Sequence, residues 1–203
     1  MNDQEPPGEA VRKHRRDPEG HRAAILEAAR QAFAERGYAR ATVRDIARRA
    51  GVTHGLITRQ FSSKERLFLA AVPGNRDLEQ VAAGDPATLP ERIARGFVQR
   101  METDAVNDPL VALLRSAASD EQAATHLLAA MQERSIAVYR TVLSPGGSAA
   151  PGDDLDTRVA LLGSQLIGVT FSRYIARTEP LASMPSEQLT EHLTRTLRHI
   201  LFD

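Results

Sequence analysis

Between Thr53 and Lys64 the chain reads THGLITRQFSSK, and its polar side chains suit recognition of a polyanion and not bond-breaking. Arg59 carries a planar guanidinium whose paired donors match the two acceptors on a guanine edge. Thr53, His54, Thr58 and Gln60 offer further short polar contacts, and Gly55 permits close approach of a backbone or a base methyl. Lys64 offers a point charge to phosphate, and upstream Thr42 and Arg44 add a hydroxyl and a second guanidinium. The alternative chemistry is absent from the chain. There is no Cys, which excludes thiol nucleophiles, disulfides and thiolate metal sites. H-E-x-x-H, G-x-S-x-G, a Walker loop and a dinucleotide glycine fingerprint are all missing. His192 and His199 fall seven apart on one helix face, but no third ligand stands at a suitable spacing. Neither an enzyme, a metal site nor a cofactor is expected.

The elements that must hold these side chains have a readable pattern. Val43, Ile46, Ala47 and Ala50 recur at i, i+3, i+4 and i+7, an apolar helical stripe. Thr42 precedes it, with Asp45 three residues on, in the spacing of a capping box. Gly51 follows, where a helix end favours a residue that accepts positive φ. Thr53 can cap a second helix through Phe61, which turns Ile57 and Phe61 inward and leaves the polar residues outside. Ser62 and Glu65 repeat the capping spacing and open another helix, with Leu67, Phe68 and Ala71 on its apolar side. Before this pair, Ile25, Ala29 and Phe33 mark a helix from about Pro18 to Arg36 that Gly37 ends. Helix, glycine turn, helix is the sequence form of a helix-turn-helix, whose second helix can enter the DNA major groove. Charge agrees with that. Formal net charge is zero, yet residues 10–66 hold 14 Lys and Arg against 6 Asp and Glu, while residues 67–203 hold 12 against 17. A basic first third on an acidic remainder suits a polyanion-binding head on a body that avoids the polyanion.

Residues 21–68 resemble the DNA-binding domain of the tetracycline-repressor (TetR) family. The resemblance rests on HRAAILEAARQAFAERGY, ATVRDIARRAGVTHGLITRQF and SSKERL, which occur in order at the expected separations. It covers about a quarter of the chain. Two positions depart from it: the family commonly has an aromatic where Thr58 stands and a His or aromatic where Gln60 stands. The resemblance implies that Arg44 approaches DNA and that Lys64, at a helix N-terminus, contacts phosphate. It also implies an effector-binding and dimerising body, and in the family a longer connecting helix where this chain has Pro73-Gly74.

The rest of the chain fits such a body. Residues 1–17 read as a flexible arm with a basic run from Arg12 to Arg16, able to follow phosphates. This N-terminal stretch lacks the apolar core of a signal peptide, and no run reaches the length of a membrane span, so a cytoplasmic protein is expected. From Leu89 the pattern is helical: a helix to about Glu102, one capped by Asp108 with Pro109 at its first position, and one capped by Asp120 to Leu143. A Pro/Gly/Ser linker at 144–152 follows, then helices from Asp153 to about Thr178 and from Ser186 onward. The last two carry more apolar surface than one body needs, through Leu155, Leu162, Leu189, Leu193 and Leu197, which suggests a two-fold dimer face. The acidic, Leu/Met/Phe-rich middle is the candidate effector pocket. Phe97, Met101, Leu114, Met131, Tyr139 and Phe171 are its expected lining, with Arg115, His126 and Gln165 as polar anchors. The expected fold is all-α with about nine helices: a three-helix head over 18–68 and a helical bundle over 69–203. The expected function is a homodimeric repressor that leaves a palindromic operator in double-stranded DNA when a small molecule binds. An architectural DNA-binding protein without effector response is the alternative reading, and a helical enzyme is a weaker one.

Overall fold

The computed structural model describes residues 18–72, 77–117, 121–143 and 154–202, and every regular element among them is helical. The expected arm at 1–17, the break at Pro73-Gly74, the Asp120 cap and the linker at 144–152 lie outside the described residues. The head comprises α1 (Pro18–Arg40), α2 (Val43–Arg49), α3 (His54–Phe61) and α4 (Lys64–Ala71). The body comprises α5 (Leu78–Ala82), α6 (Leu89–Asp104), α7 (Pro109–Ser116), α8 (Glu121–Leu143), α9 (Leu155–Val169) and α10 (Ser186–Phe202). That makes ten α-helices among the described residues against about nine expected, because α5 forms in a stretch dominated by loop signals.

Each head helix is bounded by its own sequence. Gly37 (φ 70°, ψ 170°) leaves helical geometry, so α1 kinks where the sequence suggested an end, and one further turn runs to Arg40. The kink brings Tyr38 back onto Phe33, ring centroids 5.9 Å apart, and edge-on to Phe68 at 5.5 Å. With Phe33 against Phe68 at 5.0 Å, this aromatic trio ties α1 to α4. Thr42 caps α2 by accepting from the Asp45 N–H at 3.1 Å, and Thr53 caps α3 by accepting from the Leu56 N–H at 3.3 Å. Gly51 (φ 66°) turns the chain between them. One cap is displaced from expectation. Ser63, not Ser62, accepts from the Arg66 N–H at 3.1 Å and opens α4. Ser62 instead closes α3 at φ 66°, its N–H donating to the Thr58 carbonyl at 2.9 Å.

Two hydrophobic cores hold the molecule. The first gathers Ile25, Phe33, Ile46, Ile57, Leu67 and Phe68 of the head, and it also takes in Leu110 and Leu113 of α7 and Leu127 of α8. Head and body are therefore joined by shared packing. The Asp108 carboxylate, 2% exposed, caps α7 by accepting from the Leu110 N–H at 2.8 Å, with Pro109 at the first helical position. The second core sets Leu89, Ile93, Phe97 and Met101 of α6 against Leu189, Leu193, Leu197 and Leu201 of α10, with Val159 and Leu162 of α9 beside them. Each fully buried leucine contributes about 1.5–3 kcal/mol, so the leucine row of α10 docks that helix firmly within the chain. The row is thus not surplus surface, as the sequence reading took it to be. The large apolar residues that stay exposed are Leu161 on α9, Phe171 just after it, Phe202 at the end of α10 and Val106 after α6. After Val169 the expected straight helix to Thr178 gives way to a π-helical turn, Thr170–Ile175. There the fully buried Thr170 donates its hydroxyl to the Leu166 carbonyl at 2.8 Å. Arg173 then pins the following loop, pairing with Glu102 at 2.9 Å and donating to the Met184 carbonyl at 2.7 Å.

Candidate nucleic-acid interface and effector cavity

α3 is short and sharply two-sided. Ile57 and Phe61 are buried, while Thr53, His54, Gly55, Thr58 and Arg59 are exposed together. Thr58 donates its hydroxyl back to the His54 carbonyl at 3.2 Å, which orders that side chain on the outer face. A Cβ added at Gly55 would meet nothing within 4 Å, so the fold itself does not require glycine there. Thr42 and Arg44 are exposed at the start of α2. Arg44 and Arg59 make no ion pair among the described residues, which leaves both guanidinium groups available. Gln60 differs from its neighbours. It sits half-buried at the flank of α3 near Arg22, Phe61 and Arg66, with its Oε1 buried and without a hydrogen-bond partner. Its amide oxygen therefore turns inward, because the helical rotation that exposes Arg59 carries the next residue toward the core.

Lys64 is held and not loose. Its ammonium lies 4.3 Å over the Tyr38 ring and donates to the Ala39 carbonyl at 3.2 Å, fixing a positive charge at the start of α4. Asp45, which the sequence offers only as part of a capping box, also ties α2 to α1 through Arg36. Asp45, 8% exposed, accepts from Arg48, pairs with Arg36 at 2.9 Å and with Arg49 at 3.2 Å. The Arg48 hydrogen bond, then the nearby Arg36 and Arg49 charges, hold its carboxyl below the usual carboxylate range against the opposing effect of desolvation. Arg36, Arg48 and Arg49 are therefore structural charges. The i+3 and i+4 spacing from Asp45 to Arg48 and Arg49 was the signal in the sequence.

Behind the head, a cavity of about 180 Å³ opens between α6, α8 and α9, with Leu78 of α5 and Leu110 of α7 completing it. Of the expected lining, Phe97, Met131 and Tyr139 are there. The others are elsewhere. Met101 is buried in the α6–α10 core, Leu114 packs on the head-side core, and Phe171 is 53% exposed on the outer surface. Arg115, His126 and Gln165 are not among the cavity walls either. The cation that does line the cavity is Arg100, which the sequence reading passed over. Its Nε is buried without a hydrogen bond and stands 3.5 Å from the Asp108 carboxylate, while its guanidinium carbon lies 5.8 Å from the Phe97 ring centre. Tyr139 is 3% exposed, and burial pushes its phenol up, so it stays protonated. An outer cleft of about 560 Å³ shares Phe97, Arg100, Tyr139 and Leu166 with this cavity and runs toward Arg30 and Asp104. A larger groove, about 940 Å³, lies between α6 and α10, but it is open and lined mainly by charged and hydroxyl side chains.

Among the described residues no group of three or more His, Asp or Glu is placed to hold a metal ion, and no helix is long and apolar enough to cross a membrane. The arrangement defines a class: an all-α protein with a helix-turn-helix head on a helical body that encloses a cavity. Comparison with known proteins makes the class specific. The family described as "Bacterial regulatory proteins, tetR family" matches residues 25–71, and "Tetracyclin repressor-like, C-terminal domain" matches residues 87–201. The chain belongs to the TetR family. It is similar to an HTH-type transcriptional repressor of Mycobacterium tuberculosis, 43% identical over 72 residues that cover 34% of this chain and 38% of that one. It is also similar to the repressor AcnR of Corynebacterium glutamicum, 35% identical over 92 residues, 45% of this chain and 44% of that one. The chain thus matches less than half the length of these curated relatives. A crystal structure of a TetR-family regulator from Streptomyces coelicolor is 29% identical with a TM-score of 0.64, covering 94% of this chain and 99% of that one. NalD of Pseudomonas aeruginosa, at 23% identity and a TM-score of 0.57 over 91% of this chain and 98% of that one, shares the fold.

Proposed function

We propose that the chain is a sequence-specific transcriptional repressor acting in the cytoplasm, which binds a palindromic operator as a homodimer and releases it when a small molecule fills the cavity between α6, α8 and α9. One observation carries the reading: α3 buries Ile57 and Phe61 and leaves Thr53, His54, Gly55, Thr58 and Arg59 exposed on one short helix. Such a helix fits a major groove, where Arg59 can read a guanine and Thr53, Thr58 and Gly55 accept close contact with bases or sugar-phosphate. Thr42, Arg44 and Lys64 serve as backbone contacts, and the half-buried Gln60 is an edge contact at most. Two copies related by a two-fold axis bring their α3 helices about 34 Å or more apart, one turn of duplex. The names of the curated relatives, repressors among them, support the direction of regulation. A ligand that favours the head spacing that fits DNA poorly lowers DNA affinity by its differential affinity for the two states.

Selection of bound duplexes from a random library by the purified protein tests this. An enriched palindrome is expected. Arg59→Ala should then relax preference at one position of each half-site and weaken binding by about 1–3 kcal/mol. Salt-sensitive binding with no enriched motif would replace the repressor reading with an architectural one, and a ligand-free sample that binds no duplex would remove DNA binding altogether.

A further inference from the structure

The cavity behind the head has Arg100, Gln132, Ser135, Tyr139 and Ser164 as its polar wall residues and no acid, and this selects a ligand chemistry. Its apolar walls, from Phe97, Leu110, Leu128, Met131, Leu162 and Ile167, enclose about 180 Å³. A void of this order accepts a single aromatic ring. Two polar groups stand where the cavity meets the outer cleft, Arg100 and Tyr139. Tyr139 is 3% exposed as a residue, and its hydroxyl makes no hydrogen bond among the described residues but is not fully enclosed, since Tyr139 lines both the cavity and the cleft. Arg100 has a buried Nε without a hydrogen bond, and Asp108, the acid beside it at 3.5 Å, is already supported by the Leu110 N–H. Both groups can donate, since a guanidinium carries only N–H donors and the phenol is protonated. Among the described residues no Asp or Glu lines the inner cavity, so a cationic ligand would find no counter-charge there. Three acids stand at the outer mouth, Glu27, Asp77 and Asp104, and Arg30 engages Glu27 and Asp104 at 2.8 and 2.6 Å.

We propose that the effector is a small monocarboxylic acid with a one-ring or short aliphatic body, held by its carboxylate between the Arg100 guanidinium and the Tyr139 hydroxyl. The inference rests on reading this cavity as the effector site. The body of the acid fills the apolar chamber, and the carboxylate accepts one hydrogen bond from each donor, giving the Tyr139 hydroxyl a partner and the Arg100 guanidinium a second anion beside Asp108. A fork-shaped guanidinium favours a planar carboxylate over an amide or an amine.

Calorimetric titration of the full chain with benzoate, phenylacetate and hexanoate, beside benzamide, phenylacetamide and benzylamine, decides it. At least one acid should bind about 10-fold or more tightly than its amide, and the amine should not compete. Arg100→Gln should erase the preference for acid over amide, and Tyr139→Phe should weaken the acid severalfold while sparing the amide more. Arg100→Lys keeps a charge beside Asp108 if the Gln variant unfolds, and it should retain the preference at reduced affinity. Amide or amine binding as tight as the acid, an Arg100→Gln variant that binds acid like the parent, or no acid binding at all would each overturn the proposal. Acid binding that leaves DNA affinity unchanged supports the ligand class and removes the effector role. Loss of the repressor reading through absent DNA binding leaves the calorimetric result standing on its own.

Discussion

Gly55 is the smallest residue on the exposed face of α3, and nothing in the head demands that it be small. Its φ is ordinary for a helix and a Cβ there would touch nothing within 4 Å. Gly55→Ala should therefore raise the melting temperature, by up to about 1 kcal/mol of helix stability. If the backbone of α3 approaches a base or phosphate at this point, the same methyl group should lower operator affinity about 10-fold. Stability and binding moving in opposite directions, by thermal melt and by titration with operator DNA, would place the residue at the interface. Unchanged affinity would take it out. Asp45 makes a separate, internal prediction. Its carboxyl is held below its ordinary value by Arg48, Arg36 and Arg49. The stabilisation from this network is thus present above the unfolded carboxylate pKa, about 3.9, and is lost as pH falls through the lower folded value. Asp45→Asn should unfold at lower denaturant than the parent at neutral pH, and the gap should close in acid. A gap constant from pH 7 to about pH 2 would show that shape and not charge is what matters at this site.

At the scale of elements, head and body are joined by the packing of Leu110, Leu113 and Leu127 and by a polar link through Arg30. From the middle of α1 this residue donates to Asp104 at 2.6 Å and to the Asn107 carbonyl at 3.4 Å, at the C-terminal end of α6, while Glu27 braces it from its own helix. α6 is also the helix that carries Phe97 and Arg100 into the cavity. Filling the cavity can therefore shift the end of α6 and, through Arg30, the tilt of α1. Arg30→Ala should shrink the ratio of DNA affinities measured without and with ligand, by about 0.5–2 kcal/mol of coupling, and change ligand-free DNA affinity less. A ratio equal to that of the parent would move the coupling to the packing of Leu110 and Leu113 on the head. These elements differ in how far the sequence foretold them. Caps at Thr42, Thr53 and Asp108 were legible because a cap needs only residues a few positions apart. The Ser62–Ser63 shift was not, since two adjacent serines offer the same spacing to within one residue and the positive φ at Ser62 settles which one caps. The exposed face of α3 was legible from the inward spacing of Ile57 and Phe61. The cavity was not. Periodicity tells that Met101 and Leu114 face inward, but whether inward means a filled core or a void depends on how α6, α8 and α9 meet. Arg100 reads as a surface charge until Asp108, eight residues on, is seen beside it.

For the molecule as a whole, the homodimer proposed above needs a face that joins two copies; of the exposed large apolar residues Val106, Leu161, Phe171 and Phe202, three lie on α9, its π-helical continuation and α10. Single exposed leucines are ordinary on any surface, but Leu161 and Phe171, each 53% exposed, fall on one helical line with Ser164 and Gly168 between them. Large residues at the ends and small ones in the middle let a second helix lie close across α9. The α10 leucines are committed to α6, so the dimer contact proposed here centres on α9 and its π-helical continuation, with α10 contributing its outward side and Phe202, 42% exposed. Leu161→Glu combined with Phe171→Glu should give a monomer by analytical ultracentrifugation, with a melting temperature near that of the parent because neither side chain supports the core. The same variant should lose operator affinity by about 100-fold or more, since each half-site is then bound without the effective concentration that the linked partner supplies. Binding to a single half-site duplex should hardly change, which separates loss of the dimer from damage to α3. A double variant that remains dimeric would move the interface away from α9, and the spacing of the two heads on DNA would then have to be set by a different two-fold axis.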